Sequence, residues 1–162
     1  MPNITLAVWE AIGGTPPASA GATLDVRNGR VVVDFDASTN ESIYFASVLP
    51  KHYAGGNILC KLHWMATSAT SGNVRWRVEF ERLEAGGPDL DASDFQTAVE
   101  ATGAASATSG KLTVDSLTLS ALDAAAAGDA FRIAVTRVAN DATNDTMTGD
   151  AELLMVELVE VV

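Results

Sequence analysis

An all-β fold is predicted: an antiparallel β-sandwich, jelly-roll topology favoured, with one or two short helical turns. Three observations predict it. Apolar and polar residues alternate with a period of two in segment after segment. These segments are short and are separated by breaks rich in Gly, Pro, Ser and Asn. No stretch carries the periodicity of a long amphipathic helix. The pattern gives roughly eight or nine strands, and periodicity alone does not separate a jelly roll from an immunoglobulin-like sandwich.

Taken in order, residues 3–9 (NITLAVW) alternate, with Ile4, Leu6 and Val8 on one side, and read as a first strand. The following GGTPPASAG reads as a linker, because Pro16 and Pro17 cannot donate ladder hydrogen bonds and hold the chain extended. Residues 1–20 are therefore expected to be an N-terminal strand or arm with a Pro-containing linker, free to pair even on a neighbouring subunit. Residues 21–162 are expected to form the jelly-roll domain. Residues 22–27 and 30–36 flank Asn28-Gly29, a strong hairpin signal because a type I′ turn needs two residues tolerant of positive φ. Residues 42–49 give another strand, with Tyr44 and Ala46 opposite Ile43 and Phe45.

The clearest stretch is Asn57 to Leu83, read as a hairpin of two long strands joined by a small-residue turn. Ile58, Cys60, Leu62 and Trp64 share one face of the first strand; Val74, Trp76, Val78 and Phe80 share one face of the second. Beyond Leu83, a short helix is expected around Phe95, Ala98 and Val99 behind an Asp91 or Ser93 N-cap, followed by a small-residue surface loop. Residues 111–119 return to strand, with a bulge near Asp115 expected, and SALDAAAAGD suggests a single helical turn ended by Gly128. Residues 131–138 alternate cleanly. In the last strand Leu153 to Val156 are apolar on both faces, which predicts a place in the sheet interior or at a subunit contact.

The 162 residues are expected to form one domain, large enough to need no metal or disulfide staple. Ten basic residues stand against 21 acidic ones, a net charge of −11, so a phosphate backbone would be repelled and nucleic-acid binding is not expected. No apolar run approaches a membrane span, and the N-terminal stretch lacks the basic start and long apolar segment of a secretory signal. The lone Cys60 lies on an apolar strand face and reads as a small core residue.

Catalytic and metal motifs are sparse. His52, His63 and Cys60 are too few for a structural zinc site. No G-x-S-x-G surrounds any serine. Glu79 and Glu81 share a strand face with Arg75 and Arg77, which reads as a cross-paired charged surface before it reads as a glycosidase pair. Asp141, Asp145 and Asp150, with Asn140 and Asn144, make a weak calcium candidate that lacks EF-hand spacing. Trp64 and Trp76 have apolar neighbours at alternate positions and read as core, which leaves Trp9 as the more exposed aromatic. No catalytic residue and no cofactor is expected.

Two stretches carry a resemblance: YAGGNILCKLHWMATSATSGNVRWRVEFERL and AGDAFRIAVTRVANDATNDTMTGDAELLMVELVEV. The Tyr53-Ala54-Gly55-Gly56 turn, His63-Trp64, Ser71-Gly72-Asn73-Val74, Arg137, Asp145-Thr146-Met147 and Gly149 to Leu153 are the matching features. The chain thereby resembles uncharacterised virion proteins of tailed bacteriophages with a jelly-roll domain. The resemblance implies a non-enzymatic capsid decoration (cement) protein on the capsid surface, a homotrimer bracing the major capsid protein. The segments expected at its contacts are Ile4, Leu6, Val8, Trp9, Pro16 and Pro17, and Leu154, Val156 and Leu158 of the last strand. The alternative is a receptor- or glycan-binding jelly-roll module of a tail fibre or spike, marked by exposed aromatics such as Trp9 or Tyr53.

Overall fold

The computed structural model describes residues 3–161. Ten strands run in chain order: β1 (Ile4–Glu10), β2 (Thr23–Arg27), β3 (Arg30–Phe35), β4 (Glu41–Val48), β5 (Ile58–Ala66), β6 (Asn73–Leu83), β7 (Val99–Ala104), β8 (Thr113–Leu119), β9 (Ala130–Arg137) and β10 (Ala151–Glu160). One sheet has the order β2-β3-β10-β5-β8, with β1 also on β10; the other is β4-β9-β6-β7. All ladder pairs are antiparallel. From β3 to β10 every connection crosses between the sheets except β6 to β7, which yields the interleaved order of a jelly roll.

Asn28 and Gly29 take φ of 48° and 75°, so the expected hairpin closes with Arg27 opposite Arg30. The stretch 57–83 differs from its expectation. β5 and β6 do not pair; they lie in opposite sheets, and the connection from Thr67 to Gly72 arches over the edge of the core. Alternation fixes which face of a strand is apolar, and that face is the same whether the next strand lies beside it or across from it. Facing each other, the two strands bring Trp64 and Trp76 edge to face, with ring centroids 5.7 Å apart. Phe35 packs edge-on to Trp76, and Phe80 stacks on Phe131, extending one core through the sandwich.

Three local expectations also change. No helix forms at 91–99: the Gln96 N–H donates to Phe80 O and Asp94 N–H to the Glu81 carboxylate, which ties this loop to the end of β6. The small-residue tail expected as a loop instead contributes β7, which pairs with β6 from Val78↔Val99 to Asn73↔Ala104. Residues 120–129 form turns without a helix, and the helical turn among the described residues lies at Ala11–Gly13. Asp115 sits in an unbroken ladder; the register breaks are in β10, between Leu153 and Met155, and in β1, between Thr5 and Ala7.

β10 lies in the sheet interior, flanked by β5 along its length on one side. On the other side it pairs with β3 through Leu153 and with β1 from Met155 onward. Residues 4–10 of the expected arm thus lie in the main sheet of their own chain. After the Ala11–Gly13 turn, the Pro16-Pro17 segment runs along β4, bridged at Thr15↔Tyr44 and Gly21↔Ser42.

Candidate functional site

The acidic loop after β9 is organised by an arginine. Arg137 is fully buried and holds Asp145 with two donors, Nε to Oδ2 at 3.0 Å and Nη2 to Oδ1 at 2.8 Å. Its remaining N–H groups donate to the carbonyls of Gly149, Met147 and Phe35. Asp141 accepts from the Thr143 and Asn144 backbone and the Asn144 side chain, and Asp150 accepts from Ala37 N–H. The three carboxylates of the calcium candidate are therefore engaged separately. No group of three or more His, Cys, Asp or Glu among the described residues is placed to hold a metal.

The residues expected at subunit contacts divide. Leu6, Val156 and Leu158 are buried within their own chain. Ile4 and Val8 are exposed, as is Pro16, while Pro17 and Leu154 are partly covered. Trp9 packs against Phe45 and Phe131 and donates its ring N–H to Ala46 O at 3.1 Å. Tyr53 is buried, with its hydroxyl donating to Gly56 O at 2.8 Å. Glu160, also buried, accepts from the Ala54 and Gly56 N–H groups and so pins the Tyr53–Gly56 turn. Tyr53 therefore offers no ring face, while Trp9 is half-buried with its ring packed on the core and its N–H engaged.

A second half-buried aromatic group lies at the surface. On the outward face of the β4-β9-β6-β7 sheet, Tyr44, Ala134 and Glu79 form one cross-strand row and Ala46, Arg132 and Glu81 the next. The β6–β7 loop brings Phe95 to Tyr44, ring centroids 5.7 Å apart and tilted by 41°. The Arg132 guanidinium lies 5.0 Å from the Tyr44 centroid and 4.9 Å from that of Phe95. Arg132 is held from below by Glu81 and donates to Ser93 Oγ at 3.1 Å. Both rings are half-exposed. Around them stand Glu79, which has no hydrogen bond or ion pair among the described residues, and the Ser42–Thr136 hydroxyl pair. Farther out, Glu100 receives Arg77 and Arg75, which hold its carboxyl below the usual range. The result is an apolar platform with a polar rim. Tyr44 was readable as outward-facing from its parity against Ile43 and Phe45; Phe95 was missed because a loop has no period.

The other sheet offers a groove. One cavity of about 250 Å³ is lined by Arg27, Arg30, Val32, Met65, Leu112 and Leu154 among others. A neighbouring one of about 330 Å³, between Glu10, Ile12, Val31 and Met155, shares Arg30 and Leu154 with it.

Two half-buried carboxyls complete the electrostatics. Burial, followed by the charges of Asp150 and Glu152, pushes Asp34 up to about 6. Burial also raises Asp115, opposed by the Trp64 ring N–H, which donates to it at 2.6 Å. Trp76 Nε1 is oriented to favour the same carboxylate but has no partner within hydrogen-bonding geometry. Burial raises the Cys60 thiol far above its usual range, leaving an inert core residue.

No family model and no curated protein matches the sequence. Solved structures do match the fold. A family 35 carbohydrate binding module from Clostridium thermocellum superimposes with a TM-score of 0.60, at 11% identity, over 94% of this chain and 95% of that one. The CBM22-1 xylan-binding domain of Paenibacillus barcinonensis Xyn10C gives a TM-score of 0.54 at 10% identity, covering 98% and 96%. These likenesses establish a jelly-roll sandwich of the architecture used by carbohydrate-binding modules. Nothing in them points to a phage origin or to a capsid decoration family.

Proposed function

We propose that the chain is a non-catalytic glycan-binding module, and that a sugar ring sits on the Tyr44–Phe95 platform. The observation that carries this reading is the pairing of two half-buried aromatics with Glu79, a carboxylate with no protein partner among the described residues, on an outward sheet face. A pyranose has an apolar C–H face and a rim of hydroxyls. Its C–H groups match the electron-rich ring faces, and its hydroxyls need acceptors at the edge. Arg132 fixes the tilt of both rings before a ligand arrives, which lowers the ordering cost of binding. End-to-end correspondence with carbohydrate-binding modules of the same fold supports the reading.

Affinity electrophoresis against a panel of soluble polysaccharides, xylan and mannan included, tests it. At least one polymer is expected to retard the wild-type chain, and Tyr44→Ala or Phe95→Ala is expected to abolish the retardation. If no polymer retards it, or both variants bind as well as the wild type, the proposal fails.

A further inference from the structure

The groove on the opposite sheet has a composition unlike the platform, and it arises from the split in the sheet. β10 leaves β3 at Leu153 and takes up β1 at Met155, and the register break between them opens the surface at Leu154. The floor is apolar: Val32 and Met65 are buried, and Leu112 and Met155 stand 48% and 37% exposed. No aromatic ring lines it, so the stacking argument used for a sugar does not apply here.

Its basic side chains come from the β2–β3 hairpin: Arg27 lines the first cavity and Arg30 lines both. Arg27 and Arg30 are direct cross-strand partners beside the Asn28-Gly29 turn, and like charges so placed repel. Arg27 is neutralised by Glu152 and also donates to Ala66 O at 2.9 Å. Arg30 is not neutralised: it donates only to Asn28 O, at 3.2 Å. Arg75, Arg77, Arg82, Arg132 and Arg137 all ion-pair, which leaves Arg30 as the one arginine without an acidic partner among the described residues. In a chain with 21 acidic residues, an arginine left unpaired beside a second one at the mouth of an apolar groove points to an anion from outside. Glu10 lines the neighbouring cavity, which shares Arg30, and would repel the same anion there, so the chain of the ligand is directed into the first cavity, over Val32, Met65 and Leu112.

We propose that this groove binds an aliphatic carboxylate, the head group at Arg30 and the chain over Val32, Met65, Leu112 and Leu154. The long-range negative field of the protein weakens the site only modestly in salt, since screening acts beyond about 10 Å while the head group contacts its guanidinium directly.

Calorimetric titration of the intact chain with decanoate, 1-decanol and decyltrimethylammonium, each below its aggregation concentration, tests the proposal. Decanoate is expected to bind, 1-decanol about tenfold more weakly, and the cation not at all. Arg30→Gln, on an exposed hairpin, is expected to weaken decanoate about tenfold and leave 1-decanol unchanged; Leu112→Asp is expected to remove binding of both. Unchanged thermal melting would show that both variants remain folded. Tyr44→Ala is expected to bind decanoate normally, so failure of the glycan platform and failure of this site are separable. Equal binding of decanoate and 1-decanol, an Arg30→Gln variant that binds like the wild type, or no heat with decanoate would overturn it.

Discussion

Arg132 and Arg137 lie on one strand, β9, an odd number of residues apart, and so emerge on opposite faces. Arg137 points into the sandwich, is wholly buried, and spends its donors on Asp145 and three backbone carbonyls. Arg132 points outward, half-buried, and divides itself between Glu81, Ser93 and two aromatic faces. The same guanidinium thus serves as a rivet in one setting and as an adjustable support in the other. What decides is access to water: a buried charge must be fully partnered or it destabilises the fold, whereas a surface charge can leave part of its bonding open to a ligand.

Breaking the buried member should have the largest effect. Arg137→Ala leaves Asp145 charged and unpaired in the core, with an expected loss of about 3–5 kcal/mol in chemical denaturation. Arg137→Lys should recover only part of this, since one ammonium cannot replace the two-pronged contact. A loss below about 1 kcal/mol would erase the contrast.

A half-buried carboxylate supported only by a neutral donor extends the comparison. Trp64→Phe takes the indole N–H from Asp115, and the expected cost is about 2 kcal/mol near neutral pH. Because the folded-state pKa of Asp115 is already raised, protonation relieves the defect, so the cost should shrink as pH falls. A pH-independent cost would mean that Trp64 contributes by packing alone.

Asp34 is a carboxylate with no cation and one oxygen without a hydrogen-bond partner. Its folded pKa of about 6 lies above the ordinary 3.8, so the native state holds the extra proton between those values. Its contribution to stability is present at low pH and is lost as pH rises from about 4 to about 6. Asp34→Asn should therefore stabilise the protein by about 1 kcal/mol at pH 7, allowing for solvent screening, and by little near pH 4. Thermal melting across that range measures it.

The smallest stability change belongs to the outward arginine. Arg132→Lys keeps a cation beside buried Glu81 and should cost about 1 kcal/mol or less, yet weaken the polysaccharide retardation proposed for the platform, because an ammonium cannot lie flat against both Tyr44 and Phe95. Large unfolding in this variant would show that Arg132 is framework too.

Much of the sandwich was legible because a half-buried strand shows its period. Ile43, Tyr44 and Phe45 reveal the faces of β4, and Asn28-Gly29 reveals a turn. Partners were not legible: the alternation in β5 and β6 is the same for neighbours in a sheet as for strands facing across a core. β7 was hidden because VEATGA carries little apolar contrast, and Gly103 has a reason only three-dimensional structure supplies. A Cβ there would stand 1.6 Å from the Asp115 carboxylate. The candidate site was less legible still, since Phe95 reaches Tyr44 from a loop and Arg30 is conspicuous only once the other arginines are seen to be paired.

The placement of β10 bears on how the chain comes off the ribosome. β1, β3 and β5 all use it as a ladder partner, yet it is made after every one of them. Until residues 151–160 emerge, three strand edges wait without their neighbour and the inner face of one sheet has no middle. Closure must then occur late and between segments far apart in sequence, the circumstances in which folding is slow and exposed edges recruit other chains. Nascent copies crowded on one messenger would be most vulnerable in that interval.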